Sequence, residues 1–211
     1  MPSALPDCLS CVHRCDGQSL NKYIFANDTV TSEAVESEII DFINTQSRSH
    51  LICEKSIEQD YPDLAIYRPL STRRLVARIE VKFQRRTFMQ IEKLCPLGDL
   101  VPWETVALNL SDLDRYISLT ANEDIPTYLI WRVERTCLGI RYFYQSLDEL
   151  ERIKNQYGDA RRVRRRSGVG DIDEYGNHKG VTVNYHFSLH KDLLPLNGFL
   201  SMLLKRLDIN Y

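Results

Sequence analysis

Between residues 75 and 83, Leu75, Ala77, Ile79, Val81 and Phe83 alternate with Val76, Arg78, Glu80 and Lys82. A period of two separates the faces of a β-strand, so one face is apolar and the other carries most of the charge. Such a strand demands neighbours, and the surrounding sequence supplies them. Residues 51–53 and 63–67 read as shorter strands, with Pro62 entering where a missing N–H does least harm. Before them, Val35, Ile39, Phe42 and Ile43 recur at three and four positions, which predicts an amphipathic helix over 31–45 opened by a Thr or Ser cap. Residues 88–102 contain Pro96, Gly98 and Pro102 and read as an irregular excursion. Ser111 is the expected cap of a second helix with Leu113, Tyr116, Ile117 and Leu119 on one face, and Ile125 and Pro126 turn into a strand over 127–133. The order α-β-β-β-α-β predicts an α/β fold, a mixed central sheet flanked by helices.

Past Gly139 the expected elements are a strand over 140–144, a helix over 146–156 capped by Ser146, a strand over 181–187 and a helix over 193–207. Residues 157–180, rich in Arg, Gly and Asp, read as a hairpin or loop. The chain divides into a Cys-rich segment (1–30), a core (31–138) and a C-terminal α/β extension of the same domain (139–211). With 211 residues, 43% of them hydrophobic and 27% charged, it has the make-up of a globular protein with one core. No apolar run approaches the ~18 residues of a membrane span. The first fifteen residues lack a secretory pattern. A soluble, cytoplasmic protein with no membrane partner is expected.

Twenty-seven Lys and Arg against 29 Asp and Glu give a formal charge of -2, so any attraction for a polyanion is local. Two basic clusters supply it: Arg73, Arg74, Arg78, Lys82, Arg85 and Arg86, and then Arg161, Arg162, Arg164, Arg165 and Arg166. Cys8, Cys11, His13 and Cys15 form a tight group of soft ligands suited to Zn²⁺ or an iron–sulfur centre, although the second ligand pair of a usual zinc site is missing and Cys53, Cys95 and Cys137 are isolated. Asp171, Asp173 and Gly176 lack the terminal Glu of a calcium loop. His186 and His190 do not share a face if 181–187 is a strand. No phosphate-cradling glycine loop and no serine nucleophile elbow is present.

Glu80-Val81-Lys82 is the chain's acidic-x-Lys triplet, and strand alternation sends Glu80 and Lys82 to one face about 7 Å apart. Asp63 opens the preceding strand. Sixteen residues separate it from Glu80, enough for a hairpin that brings the two carboxylates together. Paired carboxylates make a hard-oxygen site for Mg²⁺, which keeps several waters and takes one or two protein carboxylates plus a phosphate oxygen. Lys82 is placed to position a water or to stabilise developing charge.

Pro62-Asp63 followed by Glu80-Val81-Lys82 on consecutive strands, after an acidic helix, resembles the PD-(D/E)XK nuclease superfamily, over about residues 31–134. The resemblance implies a restriction-endonuclease-like core in which Asp63 and Glu80 ligate Mg²⁺ or Mn²⁺, the Val81 carbonyl adds a ligand, and Lys82 serves the attacking water. It also implies a carboxylate from the first helix. Glu33, Glu36 and Glu38 compete for that place, and Glu38 is preferred because it shares the inward stripe of Val35 and Phe42. The activity so implied is DNA endonuclease, of restriction or phage-defence type, acting as a homodimer, with Arg73, Arg78, Arg85 and the second arginine cluster on the DNA backbone. Junction resolution or repair is a near variant. The rival expectation is a catalytically inactive nuclease-fold module that binds nucleic acid or a protein partner.

Overall fold

The computed structural model describes residues 25–209 apart from 59, 70–71, 86, 136–138 and 167–180, with backbone alone for 25–30, 165 and 166. The long alternating segment is β3 (Arg74–Gln84), preceded by α1 (Phe25–Gln46), β1 (Ile52–Lys55) and β2 (Leu64–Arg68). Then come α2 (Ile91–Leu94), β4 (Thr105–Asn109), α3 (Leu110–Glu123), β5 (Thr127–Arg135), β6 (Gly139–Ser146) and α4 (Leu147–Tyr157). The chain continues with β7 (Arg162–Arg166), β8 (Val181–Ser188), β9 (Leu194–Pro195) and α5 (Phe199–Arg206). The central sheet has the order β1-β2-β3-β5-β6-β9 and is mixed, because β3 and β5 run parallel while the other pairs are antiparallel. Helix, three strands, helix and parallel strand therefore build the α/β core expected from the sequence.

β3 changes partner along its length. Its ladder with β2 ends at Leu64↔Ile79, whereas its ladder with β5 covers Arg78↔Thr127 to Gln84↔Val133. The segment carrying Glu80 and Lys82 thus runs beyond β2 and is held on its other edge. On one side of the sheet, Ile39 and Ile43 of α1 and Phe199 and Leu203 of α5 bury Ile66, Ala77, Ile79 and Ile130. On the other, Leu113 and Tyr116 of α3 and Leu150 of α4 close over Leu129, Trp131 and Phe143. β5 is covered on both faces, which is why residues 127–133 are dense in apolar side chains instead of alternating.

Several local expectations change. α1 reaches back to Phe25, six residues before the expected start. α3 is preceded by Asn109, and Ser111 lies inside the helix. Ser146 does cap α4, accepting the Glu149 N–H at 3.3 Å. Residues 88–102 contain the single turn α2, whose Ile91, with Cys95 and Leu100, makes a small core of its own. The terminal helix is shorter than 193–207, since Leu194–Pro195 joins the central sheet beside β6.

The largest revision is a second sheet, β4-β8-β7. Residues 105–109, given no element from sequence, pair with β8 from Thr105↔Ser188 to Asn109↔Asn184. Part of the segment 157–180, expected as a hairpin or loop, is β7, paired antiparallel with β8 from Arg162↔Tyr185 to Arg166↔Val181. Gly98 fixes the excursion to this sheet. A Cβ there would meet the Ala160 carbonyl oxygen at 2.9 Å and the Cys95 Cβ at 3.1 Å. We expect Gly98→Ala to destabilise the fold by about 1–3 kcal/mol in urea unfolding, because backbone must shift to admit the methyl group.

Candidate active site

The β2–β3 ladder pairs Leu64 with Ile79 and Ala65 with Arg78, so one step further Asp63 stands across from Glu80. Directly opposed residues share a face of the sheet, with Cβ atoms ~5 Å apart. The Asp63 Oδ2 accepts the Val81 N–H at 2.8 Å. In a strand the N–H and carbonyl of one residue leave toward the same edge, so the Val81 carbonyl is directed to the Asp63 side of β3. Glu80 is 2% exposed, and its Oε1 is ion-paired to the Lys82 ammonium. Its Oε2 is buried and, among the described residues, has no hydrogen-bond partner within 3.5 Å.

A buried carboxylate oxygen without a donor is costly, and the electrostatics of the site carry that cost. Burial first, and then the charge of Glu80, push the Asp63 carboxyl up to about 7 despite the Val81 hydrogen bond and Lys82. Burial opposes the charge of Lys82, but Glu80 and Asp63 outweigh it and hold the ammonium above the ordinary lysine range. Tyr116, on the face of α3 turned to the sheet, is raised by burial, then by the Glu80 charge and by the approach of that carboxylate to its hydroxyl, while Arg115 Nη2 donates to the hydroxyl at 3.2 Å. Tyr116 was legible in sequence only as a core position; its place beside Glu80 follows from α3 covering the charged face of β3. Gln84 is a second such case. Its amide donates to the Thr105 carbonyl at 2.9 Å and accepts the Ala107 N–H at 3.2 Å, tying β3 to the second sheet.

Glu38 does not join this group. Its carboxylate accepts the Tyr142 hydroxyl and lies 3.4 Å from Arg132 Nε. Arg132 stacks on Phe83, whose side chain leaves β3 on the face opposite to Glu80 and Lys82. Glu36 is the α1 carboxylate whose charge reaches Asp63, and it is ion-paired to Lys55 at 2.9 Å.

The arginines separate into two groups. Arg161 is fully buried, ion-paired to Asp192 and donating Nε to the Gly98 carbonyl at 2.7 Å, so it is removed from the DNA-contacting set. Arg78 is also buried, 2.6 Å from Glu123 and stacked on Tyr61, and is removed for the same reason. Arg73, Arg85, Arg162 and Arg164 are exposed, the first three with partners in Glu54, Glu134 and Asp159. Arg165 and Arg166 lie on β7, and their side chains are outside the described residues, as are Cys8, Cys11, His13 and Cys15.

Among the described residues no three His, Cys, Asp or Glu side chains gather as a metal-ligand set. Asp63 and Glu80 with the neighbouring backbone offer hard oxygen atoms, the donor type that suits a divalent cation that retains water better than a soft, thiolate-seeking one. Among the described residues no helix is long and apolar enough to cross a membrane.

No protein-family profile matches the chain, and no curated protein does. Among solved structures it is similar to Hjc, a Holliday junction resolvase from the archaeal hyperthermophile Archaeoglobus fulgidus, with a TM-score of 0.38 and 9% identity over 76% of this chain and 90% of that one.

Proposed function

We propose that this chain is a divalent-metal-dependent endonuclease that hydrolyses DNA phosphodiester bonds. The observation that carries the reading is the Glu80 oxygen, buried and, among the described residues, without a hydrogen-bond donor, opposite a second, half-buried carboxylate and two residues along the strand from a lysine. Two desolvated acids facing each other in a fold with a polar surface to spare are unfavourable unless a cation joins them. Asp63, Glu80 and the Val81 carbonyl would hold Mg²⁺ or Mn²⁺, which when bound supplies Lewis-acid polarisation of a phosphoryl oxygen and lowers the pKa of its water. Lys82, kept charged by its acidic neighbours, donates hydrogen bonds and offsets negative charge as it develops. Glu36 adds a carboxylate at the margin of the site. Arg73, Arg85, Arg162 and Arg164 contact the DNA backbone, joined by Arg165 and Arg166. Restriction or phage-defence cleavage by a homodimer belongs to this proposal.

The test is incubation of the purified protein with supercoiled plasmid and with a four-way DNA junction, in Mg²⁺, Mn²⁺ or chelator. Strand scission in metal alone is expected, and Lys82→Ala is expected to slow it by roughly 10²–10³-fold, the loss typical of one charge-stabilising donor. Unimpaired cleavage by Lys82→Ala overturns the assignment. DNA binding with no scission in either metal makes the chain a binding module instead.

A further inference from the structure

The end of the β2–β3 hairpin remote from Asp63 carries a second charged site. Arg68 closes β2, Arg74 opens β3, and the two are directly opposed across the ladder. Like charges so placed destabilise a sheet. Among the described residues neither arginine forms an ion pair with a carboxylate. Both line a cleft of about 290 Å³, and so does Arg206 from the last turn of α5. Arg206 is held there by Nη1, which donates to the Tyr128 hydroxyl at 3.3 Å, its one side-chain hydrogen bond among the described residues. Among the described residues the one acid lining the cleft is Asp208, and it makes no ion pair within 4.0 Å of these arginines. Leu75 and Leu203 are among the apolar walls.

Three arginines lining one small space bring together a donor set suited to an oxyanion, since a guanidinium offers paired N–H groups in the geometry that phosphate oxygens accept. Apolar walls strengthen the attraction by keeping the local dielectric low. The volume, at the lower edge of the ~300–1,000 Å³ of small-molecule sites, admits a phosphoryl group and a small group attached to it. We propose that this cleft binds a phosphoryl oxyanion through Arg68, Arg74 and Arg206. Five residues of strand separate Arg68 from Asp63, roughly 17 Å, so the site is distinct from the carboxylate pair and does not depend on the hydrolytic reading.

The ligand chemistry has two sources, free phosphate compounds and the terminal phosphate of a nucleic acid, which the test separates. The intact protein in EDTA is titrated with inorganic phosphate against chloride at equal ionic strength, following melting temperature and heat of binding. It is then titrated with one short oligonucleotide bearing either a 5′-phosphate or a 5′-hydroxyl. Phosphate is expected to raise the melting temperature above the chloride control, and Arg68→Gln/Arg74→Gln to weaken binding at least tenfold. Arg74→Glu, which gives Arg68 a cross-strand partner, is expected to melt no lower than wild type without phosphate and to lose the response to it. Preference for the 5′-phosphate oligonucleotide identifies a nucleic-acid end as the ligand; equal binding of both oligonucleotides, with the response to inorganic phosphate intact, identifies a free phosphate compound. Phosphate acting no better than chloride, or undiminished binding by both variants, overturns the proposal.

Discussion

Asp63→Asn is expected to abolish metal-dependent cleavage and at the same time to stabilise the metal-free protein at pH 8. Folding raises the Asp63 carboxyl from its ordinary 3.8 to about 7. A carboxyl whose pKa rises on folding favours the folded state below about pH 4, and that advantage is lost as pH climbs through 7. At pH 8 the ionised, desolvated carboxylate therefore costs about 4 kcal/mol. Asparagine is nearly isosteric, stays neutral and still offers an oxygen to the Val81 N–H. Urea unfolding in EDTA at pH 8 should show the variant ahead by about that amount, and at pH 4 the two proteins should coincide. Saturating Mg²⁺ should reduce or reverse the difference by stabilising wild type alone. An Asp63→Asn protein that is less stable than wild type at pH 8 contradicts the electrostatic account; one that still cuts DNA contradicts the catalytic one.

Asp192→Ala is expected to be the most damaging single change outside the site. Arg161 has no exposed surface, and Asp192, 7% exposed, is its counter-ion. The same carboxylate accepts the Ser188 N–H at 2.6 Å, so it also closes the turn after β8. The surroundings compensate only in part: the Arg161 guanidinium stacks on Tyr157 and donates Nε to the Gly98 carbonyl, while among the described residues its Nη2 has no partner. Removing one member of a buried pair strands the other charge, typically at about 3–5 kcal/mol. Chemical unfolding should register a loss of that size, and the double change Arg161→Met/Asp192→Ala should recover much of it. A double variant no better than the single one shows that Asp192 acts through the Ser188 turn instead.

How far the sequence discloses such features depends on whether the deciding interaction is local. The apposition of Asp63 and Glu80 is legible because strand period and hairpin length are local quantities, and together they leave few registers. The helix carboxylate is different. Glu36 and Glu38 flank the stripe of Val35, Ile39 and Ile43 on opposite sides, so spacing alone treats them alike. Glu36 meets Lys55 and the field of Asp63, while Glu38 meets Tyr142 of β6, and the choice was set by where α1 lies across the sheet. Arg161 was misleading for a related reason: within a run of arginines it looks solvated, yet its counter-ion comes from 31 residues further on. β4 is five residues long and pairs with β8 some eighty positions away, so no nearby turn announces it.

The change of partner along β3 has a consequence for synthesis on the ribosome. Glu80 and Lys82 emerge early, but the stretch that bears them has no ladder until residues 127–135 arrive to form β5. A growing chain that stops short of α3 and β5 therefore holds its acids and lysine on an unzipped strand. Cutting ability would appear as an abrupt gain in the life of the nascent polypeptide, no earlier than the fourth of the six strands of the central sheet.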